Sequence, residues 1–323
     1  MSFDVTFPLV LLAAYGLCNL LLSAGVVLAW RTGLRRQLTD TDTLLGARLL
    51  PAVGSAILVL TVVVPAFLLY EPRHAHDQPG PLLLVSALFA LLVLVDGIRR
   101  GFRAWWATRA IVRSARPIAA HPAGLAGTGG PGGSGTGTEV TVIDLKEPLV
   151  GVAGTWRQRI ITARCVTCVC DHEEFRQVLA HEAAHMRARD NQKLLLVLTL
   201  PDALAWLPTG RALTERWRAA AELEADERAS GTDPRKRLAL ASALIKVARL
   251  SIPSGRPRVA SRASTPFSGL EHRVRRLLAP SPGLHRTFPG RRLLTCALLL
   301  PLLAVPLYDS VHRIIEALVA FGR

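Results

Sequence analysis

Charge disappears from this chain in long blocks near its N-terminus, and that constrains its fold more than any other feature. No charged residue stands from Val5 through Trp30, from Leu49 to Tyr70, or from Gln78 to Val95. Each run approaches or exceeds the roughly 20 apolar residues that a helix needs to cross a ~30 Å hydrocarbon layer. Buried core helices are the alternative, but three such runs within the first hundred of 323 residues argue for membrane spans. A fourth run, Leu293–Tyr308, is shorter and holds Pro301 and Pro306, with Arg291 and Arg292 placed to snorkel at one end. We take it as a further span. The flank "MSFDVTF" is acidic and the first run is long, so a cleavable signal peptide is not expected.

The formal net charge is +15, and its placement sets the topology. Arg31, Arg35, Arg36 and Arg48 follow the first run, Arg73 alone follows the second, and Arg99, Arg100, Arg103, Arg109 and Arg113 follow the third. Lysine and arginine mark the cytoplasmic side. The N-terminus and the 71–80 loop are therefore expected outside, and 31–48 and 99–292 inside. Residues 309–323 form a short external tail. A nucleic-acid role for the excess charge is the rival reading; the arginines' position beside apolar runs favours anionic lipid, so no direct nucleic-acid partner is expected.

Residues 114–138 include "GLAGTGGPGGSGTGT" and read as a linker. It separates an N-terminal membrane domain, 1–113, from a cytosolic domain, 139–292. There "EVTVIDL", "LVGVAG" and "RIITA" read as a small sheet or hairpin beside a helix of about 172–192, which Asp171 and Glu174 cap. Residues 194–208, broken by Pro201 and Asp202, read as an interfacial or re-entrant segment. Helices are expected at about 211–230 and 234–250 and over "LEHRVRRLL", after a basic loop. Of five cysteines, Cys165, Cys168 and Cys170 form "CVTCVC"; no second C-x-x-C completes a metal site, so they read as structural or incidental thiols.

The chemistry concentrates in "VLAHEAAHMRARDN", residues 178–191, which contains H-E-x-x-H. His181 and His185 are four apart, so both imidazoles share a helix face and can hold one Zn2+. Glu182 is the expected general base. A zinc peptidase needs a third protein ligand. In "ELEAD", Glu222 and Asp226 are also four apart: Glu222 can close the metal site, and Asp226 can accept the ring N–H of a ligand histidine. Glu224 points elsewhere. An acidic face paired with Arg218 and Arg228 is the plainer reading of that helix. His272 and its arginine neighbours are candidates for a second oxyanion donor. The charges Arg187, Arg189 and Asp190 place the motif outside an apolar span, which argues against intramembrane proteolysis.

"RQVLAHEAAHMRARDN", followed by "ELEADERA" between a third and a fourth span, resembles the BlaR/MecR family of membrane metallopeptidases. "EPLVGVAGTWRQRIITA" is similar to the strand pair before that family's zinc helix. A weaker likeness runs to HtpX and CAAX-prenyl type proteases. The resemblance implies a mainly α membrane protein with about four transmembrane helices and an inserted cytosolic α+β gluzincin-like zinc metallopeptidase domain. It implies His181, His185 and Glu222 as zinc ligands, Glu182 as base and Asp226 as their support. It implies a protein or peptide substrate, with a BlaI-like winged-helix repressor as a candidate. The best-known members end in a penicillin-binding sensor; residues 309–323 are too few for one, so none is expected here. A non-cleaving, zinc-stabilised membrane transducer is the alternative from a different class.

Overall fold

The computed structural model describes residues 3–70, 80–114, 117–121, 140–144, 147–250, 269–279 and Arg313. The chain divides into two compact units. One comprises Met1–Arg103, Leu196–Arg218 and Thr287–Arg323; the other comprises Ala104–Leu195 and Ala219–Arg286. The expected fourth span at 293–308 and most of the expected linker lie outside the described residues.

The first unit is built on α1 (Phe3–Ala29), α2 (Thr41–Leu58) and α3 (Pro81–Ser114), of which residues up to Arg103 belong here. π-helical turns extend α1 through Leu34 and lead from α2 into Val64–Tyr70. Three helices among the described residues are long and apolar enough to cross a membrane: Thr6–Gly33, Thr41–Leu69 and Pro81–Ala110. The stretch 31–48, expected as a loop, is thus largely helical, because Asp40 caps Thr43 and starts α2 early. Val10, Ala13, Val59, Val63, Phe67, Leu83 and Ala87 form the core of this unit. Outside that core Leu21, Leu28, Val85, Leu88 and Leu92 are exposed. Water would penalise so wide an apolar surface, whereas lipid matches it. Gly16 lets α1 lie against α3, since a Cβ there would sit 2.8 Å from the Ser86 carbonyl oxygen.

The segment 196–218 belongs to this unit. It holds the end of a helix, a break at Pro201, one 3-10 turn (Ala203–Trp206) and the start of another helix.

The second unit carries a four-stranded sheet of β1 (Pro117–His121), β2 (Val140–Ile143), β3 (Val150–Ala153) and β4 (Arg159–Ala163), in the order β1-β2-β4-β3. β2 and β4 are parallel; the other two pairings are antiparallel. β1 lies inside the stretch expected as linker. The β3–β4 hairpin needs Gly154, whose φ is 91° and whose Cβ, if present, would meet the Arg157 carbonyl oxygen.

After the short helix α4 (Arg164–Val169) comes α5 (His172–Ala188), which carries the H-E-x-x-H motif. Its capping box is formed as the sequence predicts: Glu174 N–H donates to Asp171 Oδ1 (2.8 Å) and Asp171 N–H to Glu174 Oε2 (2.9 Å). Val178 packs with Ala163, Val166 and Ala243, and Leu179 with Val140 and Ile160. One apolar face of α5 is therefore fixed on the sheet. The expected single helix to 192 is two, because Arg189 takes a left-handed conformation (φ 56°) and closes α5 before α6 (Asp190–Thr199) begins. Just past the break, Asn191 Nδ2 donates to the carbonyls of Val152 (2.8 Å) and Gly154 (3.0 Å). These bonds fasten the hairpin to the end of the motif helix.

Three helices complete this unit: α7 (Pro208–Ser230), of which residues from Ala219 belong here, α8 (Pro234–Leu250) and α9 (Leu270–Leu278). Buried Arg237 of α8 donates to the carbonyls of Leu277 (2.9 Å), Arg276 (2.5 Å) and Ala279 (3.1 Å). Its guanidinium satisfies the orphan carbonyls at the end of α9 and fixes that short helix.

Candidate metal centre

His181 and His185 stand one turn apart on α5, as their spacing predicts, and their rings are nearly perpendicular, with centroids 4.7 Å apart. The two Nε2 atoms are 3.1 Å from each other. Glu222, on α7, brings Oε2 to 3.5 Å from His181 Nε2 and Oε1 to 3.6 Å from His185 Nε2. Tetrahedral zinc with ligand distances of about 2.0–2.2 Å separates its donor atoms by about 3.3–3.6 Å. The separations of 3.1, 3.5 and 3.6 Å are close to those edges. They form the one His/Cys/Asp/Glu group able to hold a metal ion among the described residues.

The charges around this point favour a cation. Burial by itself would lower the His181 pKa; the carboxylates of Asp226 and Glu222 outweigh it and raise it to about 10. For Glu222 burial works upward, but His181 and Arg273 bring it down to about 2. Its carboxylate stays 36% exposed, so solvent screens part of this pairing. Burial likewise opposes ionisation of Asp226, yet His181 and Arg273 hold its carboxyl below the usual range. Glu182 is buried beside the ring pair at 9% exposure. Burial pushes its carboxyl up against the pull of His181 and His185, which brings a general base closer to neutral pH.

Supporting contacts surround the group. Asp226 Oδ1 lies 3.0 Å from His181 Nδ1. That nitrogen has no aligned hydrogen-bond partner, so the contact acts through charge proximity. His185 Nδ1 lies 2.7 Å from Asp190 Oδ2, a partner the sequence reading missed. A carboxylate that takes a ring nitrogen in this way fixes the tautomer and leaves Nε2 free to bind. Arg273, from "GLEHRVRRLL", donates through Nε and Nη2 to Asp226 (2.8 and 2.7 Å), and its Nη1 lies 2.8 Å from Glu222 Oε2. Its neighbour His272 is exposed. Glu224 pairs with Arg228, away from the histidines as expected.

"CVTCVC" builds no second centre. Cys165, Cys168 and Cys170 are free. Burial, with the Glu174 charge, pushes Cys170 up to about 11, so it stays a thiol at neutral pH. Beside α5 lies a cleft of about 520 Å³ lined by Trp156, Gln158, Met186, Arg189 and Gln192.

Two histidines on one helix, a carboxylate from a second helix and a buried glutamate between them define a metallohydrolase-type site. Residues 150–292 match the family model of Peptidase family M48, whose members are zinc metallopeptidases. The match contains every residue just described and supports a metallopeptidase. No curated protein matches the chain.

Proposed function

We propose that this chain is a membrane-anchored zinc endopeptidase. His181, His185 and Glu222 would hold the metal, Glu182 would act as base, and Asp226 and Asp190 would orient the two histidines. The observation that carries this is the convergence of both Nε2 atoms and the Glu222 carboxylate on one point beside buried Glu182. Zinc, when bound, lowers the pKa of a water to ~7 and polarises a scissile carbonyl. Glu182 accepts the proton of the attacking water and passes it to the leaving amine. Arg273 holds the Glu222 carboxylate in its binding orientation. The test is chelation: 1,10-phenanthroline should stop self-cleavage, or cleavage of a co-expressed protein, by the detergent-purified enzyme. Added zinc should restore it. Cleavage indifferent to the chelator would rule the metal mechanism out.

The substrate we propose is a protein at the cytosolic face, with a BlaI-like winged-helix repressor as the first candidate. The motif order between apolar helices supports a BlaR/MecR-like regulatory role. The M48 match gives support to the second reading, a quality-control protease similar to HtpX and CAAX-prenyl type enzymes. The cytosolic placement rests on the arginine bias and is tested by fusion reporters. One placed after Arg113 should read cytoplasmic and one at His76 external. An external result at 113 would exclude a cytosolic substrate.

A further inference from the structure

Polar residues of the apolar helices converge on one short stretch of chain, residues 201–203. Asn19 is fully buried in α1. Its Nδ2 donates to the Pro201 carbonyl (3.2 Å), and its Oδ1 accepts from Ala203 N–H (2.9 Å). Tyr15 Oη donates to the same Pro201 carbonyl at 2.6 Å. Together they satisfy a carbonyl and an N–H in the non-helical break that follows α6. Between those two anchor points lies Asp202, 1% exposed, in a salt bridge with Arg48 of α2, itself 3% exposed. Arg48 Nε also donates to Thr214 Oγ1 at 3.2 Å.

The third apolar helix joins in. Trp206 Nε1 donates to Asp96 Oδ2 of α3 at 2.8 Å. Gly97 and Gly101 let α3 lie directly on the same stretch, where a Cβ would sit 2.6 Å from Thr199 O and 2.4 Å from Thr199 Oγ1 respectively. Ionisable groups within an apolar span are costly and are kept where they pair for a purpose.

That stretch has a particular place in the chain. It connects α6, which follows the His181/His185 helix, to α7, which carries Glu222. Thr214, held by Arg48, is two turns before Glu222 on α7, about 12 Å along one continuous helix. We infer that Asn19, Arg48 and Asp202 are positioning residues: they fix the connector between the two ligand-bearing helices and thereby set where Glu222 meets the histidines. This rests on the reading of His181, His185 and Glu222 as zinc ligands.

The test uses full-length protein in detergent, with zinc affinity and the visible absorption of the cobalt-substituted site as readouts. Arg48→Ala and Asn19→Ala should each weaken zinc binding on the order of 10-fold and alter the intensity of the cobalt bands. Arg48→Lys, which keeps the charge opposite Asp202, should recover most of both. Phe67→Ala is the control: Phe67 is buried in the helix core at 1% exposure but is not part of the clamp. It should lower thermal stability and leave zinc affinity and the cobalt spectrum unchanged. If Arg48→Ala does not fold, Asn19→Ala and Arg48→Lys decide the matter. Wild-type affinity and spectrum in Arg48→Ala or Asn19→Ala overturn the clamp, as does an equal loss in Phe67→Ala. Wild-type protein that takes up neither zinc nor cobalt overturns the ligand assignment itself, and the clamp with it.

Discussion

Glu182→Gln is expected to lower peptide-bond hydrolysis by ~10²–10⁴ while zinc content stays at the wild-type level. The substitution keeps the size and reach of the side chain and removes its capacity to take a proton from water. Glu182 is not among the three residues whose donor atoms converge, so the metal has no reason to leave. The fold should also tolerate the change. The side chain is buried and burial already raises its carboxyl pKa, so a neutral amide there forgoes the desolvation penalty of a charge. Rates and metal content measured on the same preparation make the comparison. If Glu182→Gln works as well as wild type while His181→Ala and Glu222→Gln do not, metal binding matters and hydrolysis does not. The peptidase reading would then give way to a zinc-stabilised membrane transducer.

What could be read from the amino-acid order was local. The i,i+4 spacing of His181 with His185 and of Glu222 with Asp226 follows from helix geometry, and the structure brings both pairs together. The Asp171–Glu174 capping box was legible for the same reason, since it lies within four residues. Asp190 escaped because its reach to His185 depends on Arg189 adopting φ 56°, a conformation that nothing in arginine's chemistry announces. Arg273 escaped for a different reason. It is 47 residues from Asp226, and its place is set by Arg237 gripping the end of α9, a purely tertiary contact. Tyr15 and Asn19 were passed over as uncharged members of an apolar run. Hydropathy averages over a window, so it cannot separate a lipid-facing position from one that feeds a hydrogen bond to a neighbouring break. The same averaging hides how 194–208 is held: Tyr15 and Asn19 of α1 bond its backbone, while Arg48 of α2 and Asp96 of α3 take its side chains Asp202 and Trp206.

The supporting carboxylates should grade below the ligands in a metal-binding series. His185→Ala removes a donor atom outright and should take most of the zinc with it, measured as metal per chain after purification. Glu222→Gln should also weaken binding strongly, because an amide oxygen carries no charge to set against a divalent cation. Asp190→Asn and Asp226→Asn leave all three donor atoms in place and should cost ~10–100-fold in metal affinity or activity. Within that range Asp226→Asn should be the worse of the two. Asp190 serves one ring nitrogen at 2.7 Å and is otherwise near Lys193, at 3.7 Å. Asp226 faces His181 and also takes two donor atoms of Arg273, so its loss leaves a largely buried guanidinium with Glu222 as its remaining carboxylate partner and draws on a metal ligand. Stability should follow occupancy. A ligand at 1,000 times its Kd stabilises the folded state by about 4 kcal/mol. Zinc should therefore raise the melting temperature of wild type clearly, of the two aspartate variants less, and of His185→Ala not at all. Equal zinc content in His185→Ala and wild type would remove His185 from the ligand set.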